Sequence, residues 1–182
     1  MFLVVFRQGG GGLEHKNSTL VTSNLRAGTP EGYRGWLGFI GHEYFHAFNV
    51  KRLRPLELGP FDWDNAPHTA SLWISEGVTT YYADLLLARS GLWTAQDLLA
   101  SLSGQIERLQ NSPGRLLQSV EQSSLEVWNN SNSGVNPGAS TVSYYIKGDV
   151  LGFLLDARIR LDRKSTRLNS SHIQKSRMPS SA

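Results

Sequence analysis

The sequence predicts a mainly helical α+β domain, and three observations carry that prediction. Two short β-branched stretches, residues 2–7 (FLVVFR) and 19–22 (TLVT), open the chain as strands. Four longer segments suited to helix follow, at about 33–50, 71–90, 94–110 and 142–161. Hydrophobic residues make up 40% and charged residues 18% of the 182, the balance of a chain that buries a core.

Each element has its own signal. Gly9 to Gly12 form a run where the backbone must turn sharply or let another chain come close. Residues 24–33, with Gly28, Pro30 and Gly32, read as a loop. In the first helix Trp36, Leu37, Phe39, Ile40, Phe45 and Phe48 lie nearly all round, which predicts burial. Pro55, Gly59, Pro60 and Pro67 mark 54–70 as a loop, and Gly91 stops the second helix. Thr94 is a good N-cap for the third, with Asp97 at its third position. Residues 123–138, rich in Ser, Asn and Gly, read as a long loop. No internal repeat is present.

From Arg163 the composition changes. Residues 163–182 have little apolar content and no periodicity, and resemble an out-of-frame or adapter-derived peptide, so His172 is left out of functional reasoning. The expected organisation is a folded core over 1–162 and a disordered or artefactual tail over 163–182. The formal net charge of +3 belongs to that tail, which holds five of the 18 Lys and Arg residues and no acid. Residues 1–162 keep 13 bases against 15 acids, so no basic face argues for nucleic acid.

No apolar run approaches the roughly 20 residues that span a bilayer. The six-residue opening MFLVVF, followed at once by Arg7, lacks the order of a secretory signal and reads as a strand. With no cysteine, disulfides and thiolate ligands are excluded, and the compartment stays undetermined. Any metal must be held by histidine nitrogen and carboxylate oxygen.

The informative stretch is Gly41-His42-Glu43-Tyr44-Phe45-His46. Histidines four apart on a helix share one face and can converge on one metal, while the intervening glutamate reaches an attacking water from the flank. Catalytic zinc takes three protein ligands and keeps one position open. The third candidate is Glu76, twenty-nine residues beyond His46, in the apolar setting of Trp73, Ile74, Val78 and Tyr81. A buried carboxylate is costly unless paired, and a cation removes that cost. The plain alternative is two ordinary helix histidines and an exposed glutamate.

Four motifs in order, GGLEH, HEYFHAFNVKRLRP, SEGVTTYY and YYIKG, resemble the glycyl aminopeptidase family of PDZ-containing metallopeptidases over about residues 4–161. They also parallel the broader zinc aminopeptidases, within the gluzincin arrangement. The resemblance implies a thermolysin-like catalytic domain with a small edge sheet beside a helical bundle and the cleft between them. It implies one Zn2+ per chain on His42, His46 and Glu76, and Glu43 as general base. Glu14 matches the glutamate that holds a substrate's free amino group, on a strand whose Gly11 and Gly12 let the peptide lie against the backbone. His15 stands where the broader group has Asn. Tyr145 matches the tyrosine that stabilises the oxyanion, with Tyr144 as the neighbouring alternative.

Other polar residues stay open. Thr80 or Asp84 is placed to orient a histidine, and Asn49, Lys51, Arg52 and Arg54 can serve structure or a substrate carboxylate. His68, in a loop, has no expected catalytic part. The implied function is zinc-dependent peptide hydrolysis, with aminopeptidase and endopeptidase action as alternatives and a peptide as partner. The competing reading is a zinc-binding but catalytically incomplete fragment, since the family carries an N-terminal β-rich domain and a C-terminal PDZ domain that are not in this sequence. Such a His-His-Glu site also accepts cobalt or manganese.

Overall fold

The computed structural model describes residues 2–6, 10–23, 27–60, 62, 64–128 and 140–175. Three strands come first: β1 (Phe2–Phe6), β2 (Gly11–Glu14) and β3 (Thr19–Ser23). They form one sheet in the order β1-β3-β2, parallel between β1 and β3 and antiparallel between β2 and β3. In β3, Thr19 and Val21 are buried while Leu20 is exposed, the period-two alternation of a sheet with one covered face. β2 is an edge strand, paired through Leu13 with Leu20 and Glu14 with Thr19.

Helix α1 runs Pro30–Phe45, not 33–50. It starts early because Thr29 caps it, accepting from Gly32 N at 3.0 Å, with Pro30 at the first helical position. It ends early because the chain tightens after His42: Ala47 N donates to Tyr44 O and Phe48 N to Phe45 O, and Val50 adopts φ 108°. A β-branched residue at positive φ is rare, so no local sequence signal marks this stop. The helix is only partly covered. Leu37 is buried in a cluster with Leu87 and Trp93, whereas Phe48 beyond its end is 48% exposed.

The segment read as one helix over 71–90 is two. Trp73–Val78 is a π-helix, and α2 (Thr79–Arg89) continues from it, followed by Gly91 at φ 80°. A π-helical turn inside a longer helix is a common mark of a functional position, and here it carries Glu76. Helix α3 (Ala95–Gln110) begins as the sequence predicts: Thr94 and Asp97 form a reciprocal capping box. Helix α4 (Val120–Leu125) enters the stretch read as a loop from 123. It is capped by Ser119, whose side chain accepts from Gln122 N at 3.0 Å. Residues 129–138 of that loop lie outside the described residues.

Helix α5 spans Tyr144–Lys175, whereas the sequence predicts an end near Leu161 and a disordered or artefactual tail from Arg163. No glycine or proline occurs from Phe153 to Met178 to interrupt it. The chain divides into two units, Met1–Gly152 and Phe153–Ala182. In the second, Arg158 pairs with Asp162 and Arg160 with Asp156 at i,i+4 spacing. Among the described residues no helix is long and apolar enough to cross a membrane.

Candidate metal centre

The last turn of α1 and the π-helical segment meet at three atoms. His42 Nε2 lies 3.0 Å from His46 Nε2 and 3.1 Å from Glu76 Oε2, and His46 Nε2 lies 3.3 Å from the same oxygen. The far nitrogens fix the tautomers. His46 Nδ1 sits 3.0 Å from the Asn49 carbonyl, which can only accept, so Nδ1 carries the proton. Thr80 Oγ1 donates to Glu76 O at 3.0 Å and so accepts from His42 Nδ1 at 3.2 Å. With both rings neutral, the two Nε2 atoms turn lone pairs toward a carboxylate oxygen.

Three acceptors facing one point repel unless a cation joins them, and this donor set fits a divalent metal with an N,N,O preference. A proton is the other cation that can take that place. Burial alone would push the Glu76 carboxyl up, yet the two histidines hold it at about 2. His46 is lowered by burial but raised more by Glu76, to about 8. A proton at His46 and a metal at the triad answer the same excess of negative charge.

Glu43 is buried on the same helix and lines a cavity of about 760 Å3 together with Gly11, Gly12, Glu14, the triad and Tyr145. Burial pushes its carboxyl up, against the opposing pull of His42 and His46. A Cβ added at Gly12 would overlap the Glu43 carboxylate, so the missing side chain of β2 is where this carboxylate sits. Glu14, Glu43 and His46 also approach one another, their ligating atoms all within 4.8 Å. Glu14 pairs with Lys51 at 3.2 Å.

Of the two tyrosines, Tyr145 is the one that lines the cavity. Its ring centroid lies 6.1 Å from that of His42, and its hydroxyl bonds to Glu76. Burial and the charge of Glu76 push its pKa well above the ordinary phenol range, so it is a donor. Tyr144 is buried and stacked on it, with ring centroids 4.9 Å apart. Lys147 of the same motif points elsewhere, donating to Arg115 O and Gln118 O at 3.0 and 2.8 Å.

Of the two residues considered for orienting a histidine, Thr80 bonds His42. Asp84 instead accepts from Ser101 Oγ at 2.6 Å, and burial raises it to about 6. Asn49 does more than its sequence context suggested. Its carbonyl accepts from His46, and its amide donates to Ile74 O at 2.7 Å and Thr79 Oγ1 at 2.9 Å, joining α1 to the π-helical segment. The one available hint was its place within the family-like NVKRLRP stretch. Arg52 donates to Ala47 O and stacks over Phe48, a structural part. His68 lies 3.4 Å from Leu125 O, away from the triad's partners.

Comparisons with known proteins bear on this arrangement. The family model described as M61 glycyl aminopeptidase matches residues 35–151. A crystal structure of an aminopeptidase N family protein from Idiomarina loihiensis is similar at 34% identity and a TM-score of 0.81, covering 90% of this chain and 29% of that one. This chain therefore spans less than a third of that protein's length. No curated protein matches it. The matched span covers well over half of the sequence and takes in both histidines, Glu76 and the YIKG turn, so the chain belongs to the M61 glycyl aminopeptidase family.

Proposed function

We propose that this chain hydrolyses peptide bonds with zinc held by His42, His46 and Glu76, acting at a free N-terminus. The observation that carries the reading is the convergence of two histidine nitrogens and a carboxylate oxygen, within 3.3 Å of one another, beside the buried Glu43 carboxylate in one cavity. Bound there, zinc supplies Lewis acidity toward a water and a peptide carbonyl.

The chain's own residues do the rest. Glu43 takes a proton from the attacking water and returns it to the departing amine; its upward shift suits it to both steps. Tyr145 keeps its proton and donates a hydrogen bond to the oxygen that gains charge. Glu14 offers a fixed carboxylate to the substrate's ammonium. The exposed edge strand β2 is available to pair with an extended peptide.

The test is hydrolysis of glycyl and alanyl anilides against their N-acetylated forms, with Glu43→Gln beside the unmodified chain. Turnover of free-amine substrates, lost in Glu43→Gln, supports the reading. Equal turnover of both forms replaces aminopeptidase with endopeptidase action. A second reading, zinc binding without turnover, draws on large apolar side chains left in solvent, Leu53, Leu56, Leu116 and Leu117 at 69 to 87% exposure. It predicts bound metal and no hydrolysis of either substrate.

A further inference from the structure

We infer that Lys51 is a positioning residue that holds the Glu14 carboxylate at the cavity wall and ties the amine anchor to the metal triad. The inference rests on the reading of Glu14 as the group that receives a substrate's ammonium.

Glu14 lies on an exposed four-residue edge strand, bonded along one side to β3. Its carboxylate faces Glu43, since ligating oxygens of the two, with a nitrogen of His46, all lie within 4.8 Å. Two carboxylates so close repel, and a glutamate side chain on an edge strand would swing away from the second charge. The cation that meets this charge is Lys51, its Nζ 3.2 Å from Glu14 Oε1. Both side chains are largely covered, 18% and 21% exposed, so solvent screens the pair less than an open surface pair. Glu14 lines the 760 Å3 cavity and Lys51 is not among its lining residues. The ammonium bonds Oε1 of Glu14, a residue that itself lines the cavity.

The backbone explains how Lys51 gets there. It follows Val50, the buried β-branched residue at φ 108°, whose unusual conformation turns the chain back after α1. Val50 N donates to Leu53 O at 2.7 Å and Lys51 N donates to His46 O at 3.1 Å. Lys51 thus starts from the carbonyl of a triad residue and ends on the amine anchor. A strained turn maintained by several bonds keeps the spacing between His46 and Glu14 fixed. That spacing sets which bond of an N-terminally anchored peptide reaches the triad.

The test uses the zinc-loaded chain with Lys51→Met, Lys51→Arg, Glu14→Gln and the double variant. KM and kcat are measured for alanyl anilide and its N-acetylated form. Calorimetric binding of glycine hydroxamate and N-acetylglycine hydroxamate gives the same comparison without turnover. Lys51→Met is expected to weaken recognition of the free amine about ten-fold, in KM and in hydroxamate affinity. It should leave zinc content and the acetylated ligands nearly unchanged. Lys51→Arg should recover most of the loss, and the double variant should lose no more than Glu14→Gln alone. Equal loss for free and acetylated ligands, tighter amine binding, or additive effects of the two substitutions would overturn the role of Lys51. Unchanged amine preference in Glu14→Gln instead removes the amine-anchor reading, and the inference with it.

Discussion

Gly77 and Gly148 lie backbone against backbone: a Cβ on Gly77 would stand 2.5 Å from Gly148 Cα, and one on Gly148 would stand 2.7 Å from Trp73 O. This contact sets the start of α5 against the π-helical segment and places Tyr145, three residues earlier, over Glu76. Gly148→Ala should destabilise the fold by about 1–3 kcal/mol through overpacking between two rigid backbones. Thermal unfolding checks it; a Tm lowered by at least about 2 °C is expected for a chain of this size. An unchanged Tm would mean the two segments can separate at no cost.

Thr80 is the partner that keeps the His42 proton on Nδ1. Thr80→Val preserves shape and removes the acceptor, so the ring is free to rotate or change tautomer. Metal affinity should fall about 10- to 100-fold, as for other partners of metal-bound histidines. Competition with a chromogenic chelator measures it, and an affinity equal to the unmodified chain's would show that Thr80 orients nothing.

Removing the Tyr145 hydroxyl separates the two tyrosines. Tyr145→Phe should reduce kcat by about 100-fold with metal content intact, the loss typical of one oxyanion donor. Tyr144→Phe should leave kcat within a few-fold, because Tyr144 does not line the cavity and its hydroxyl accepts from Tyr145. Comparable kcat losses in both variants would contradict this division.

The candidate triad was legible because its geometry is periodic. Two histidines four apart share a helix face, and a glutamate in an apolar helix needs a partner. Thr94 likewise announced an N-cap, and the structure adds the reciprocal bond from Asp97. What stayed hidden depends on contacts far away in sequence. Nothing local separates the π-helical WISEGV from an ordinary helical turn, and Val50 carries no glycine or proline to warn of the stop after α1. Asn49 reads as a surface polar residue until the fold sets it against Ile74 and Thr79, 25 and 30 residues on. The glycines of SEG and YIKG suggested a motif, and their direct contact appeared with the packing.

Two buried carboxyls give the fold a pH signature. Burial raises Asp149 from 3.8 to about 7, and the neighbouring Asp84 pushes it the same way. A carboxyl with a folded pKa above its unfolded one adds stability while protonated in the fold and loses it as pH rises through the folded value. Stability should therefore fall between about pH 4 and pH 7 on account of this group, at ~1.4 kcal/mol for each pH unit separating the two values as an upper limit. Asp149→Asn should be stabilised relative to the unmodified chain at pH 8, on the order of 1 kcal/mol or more, with the difference shrinking by pH 5. Urea unfolding at the two pH values measures it, and a difference independent of pH would contradict the account.

The most direct test of the metal centre is elemental analysis of the purified, folded chain beside Glu76→Ala. The account predicts about one zinc per chain, lost or greatly weakened in the variant while the fold persists. Folded protein without zinc after incubation with the metal, or Glu76→Ala holding it as tightly as the unmodified chain, would contradict a site built on His42, His46 and Glu76.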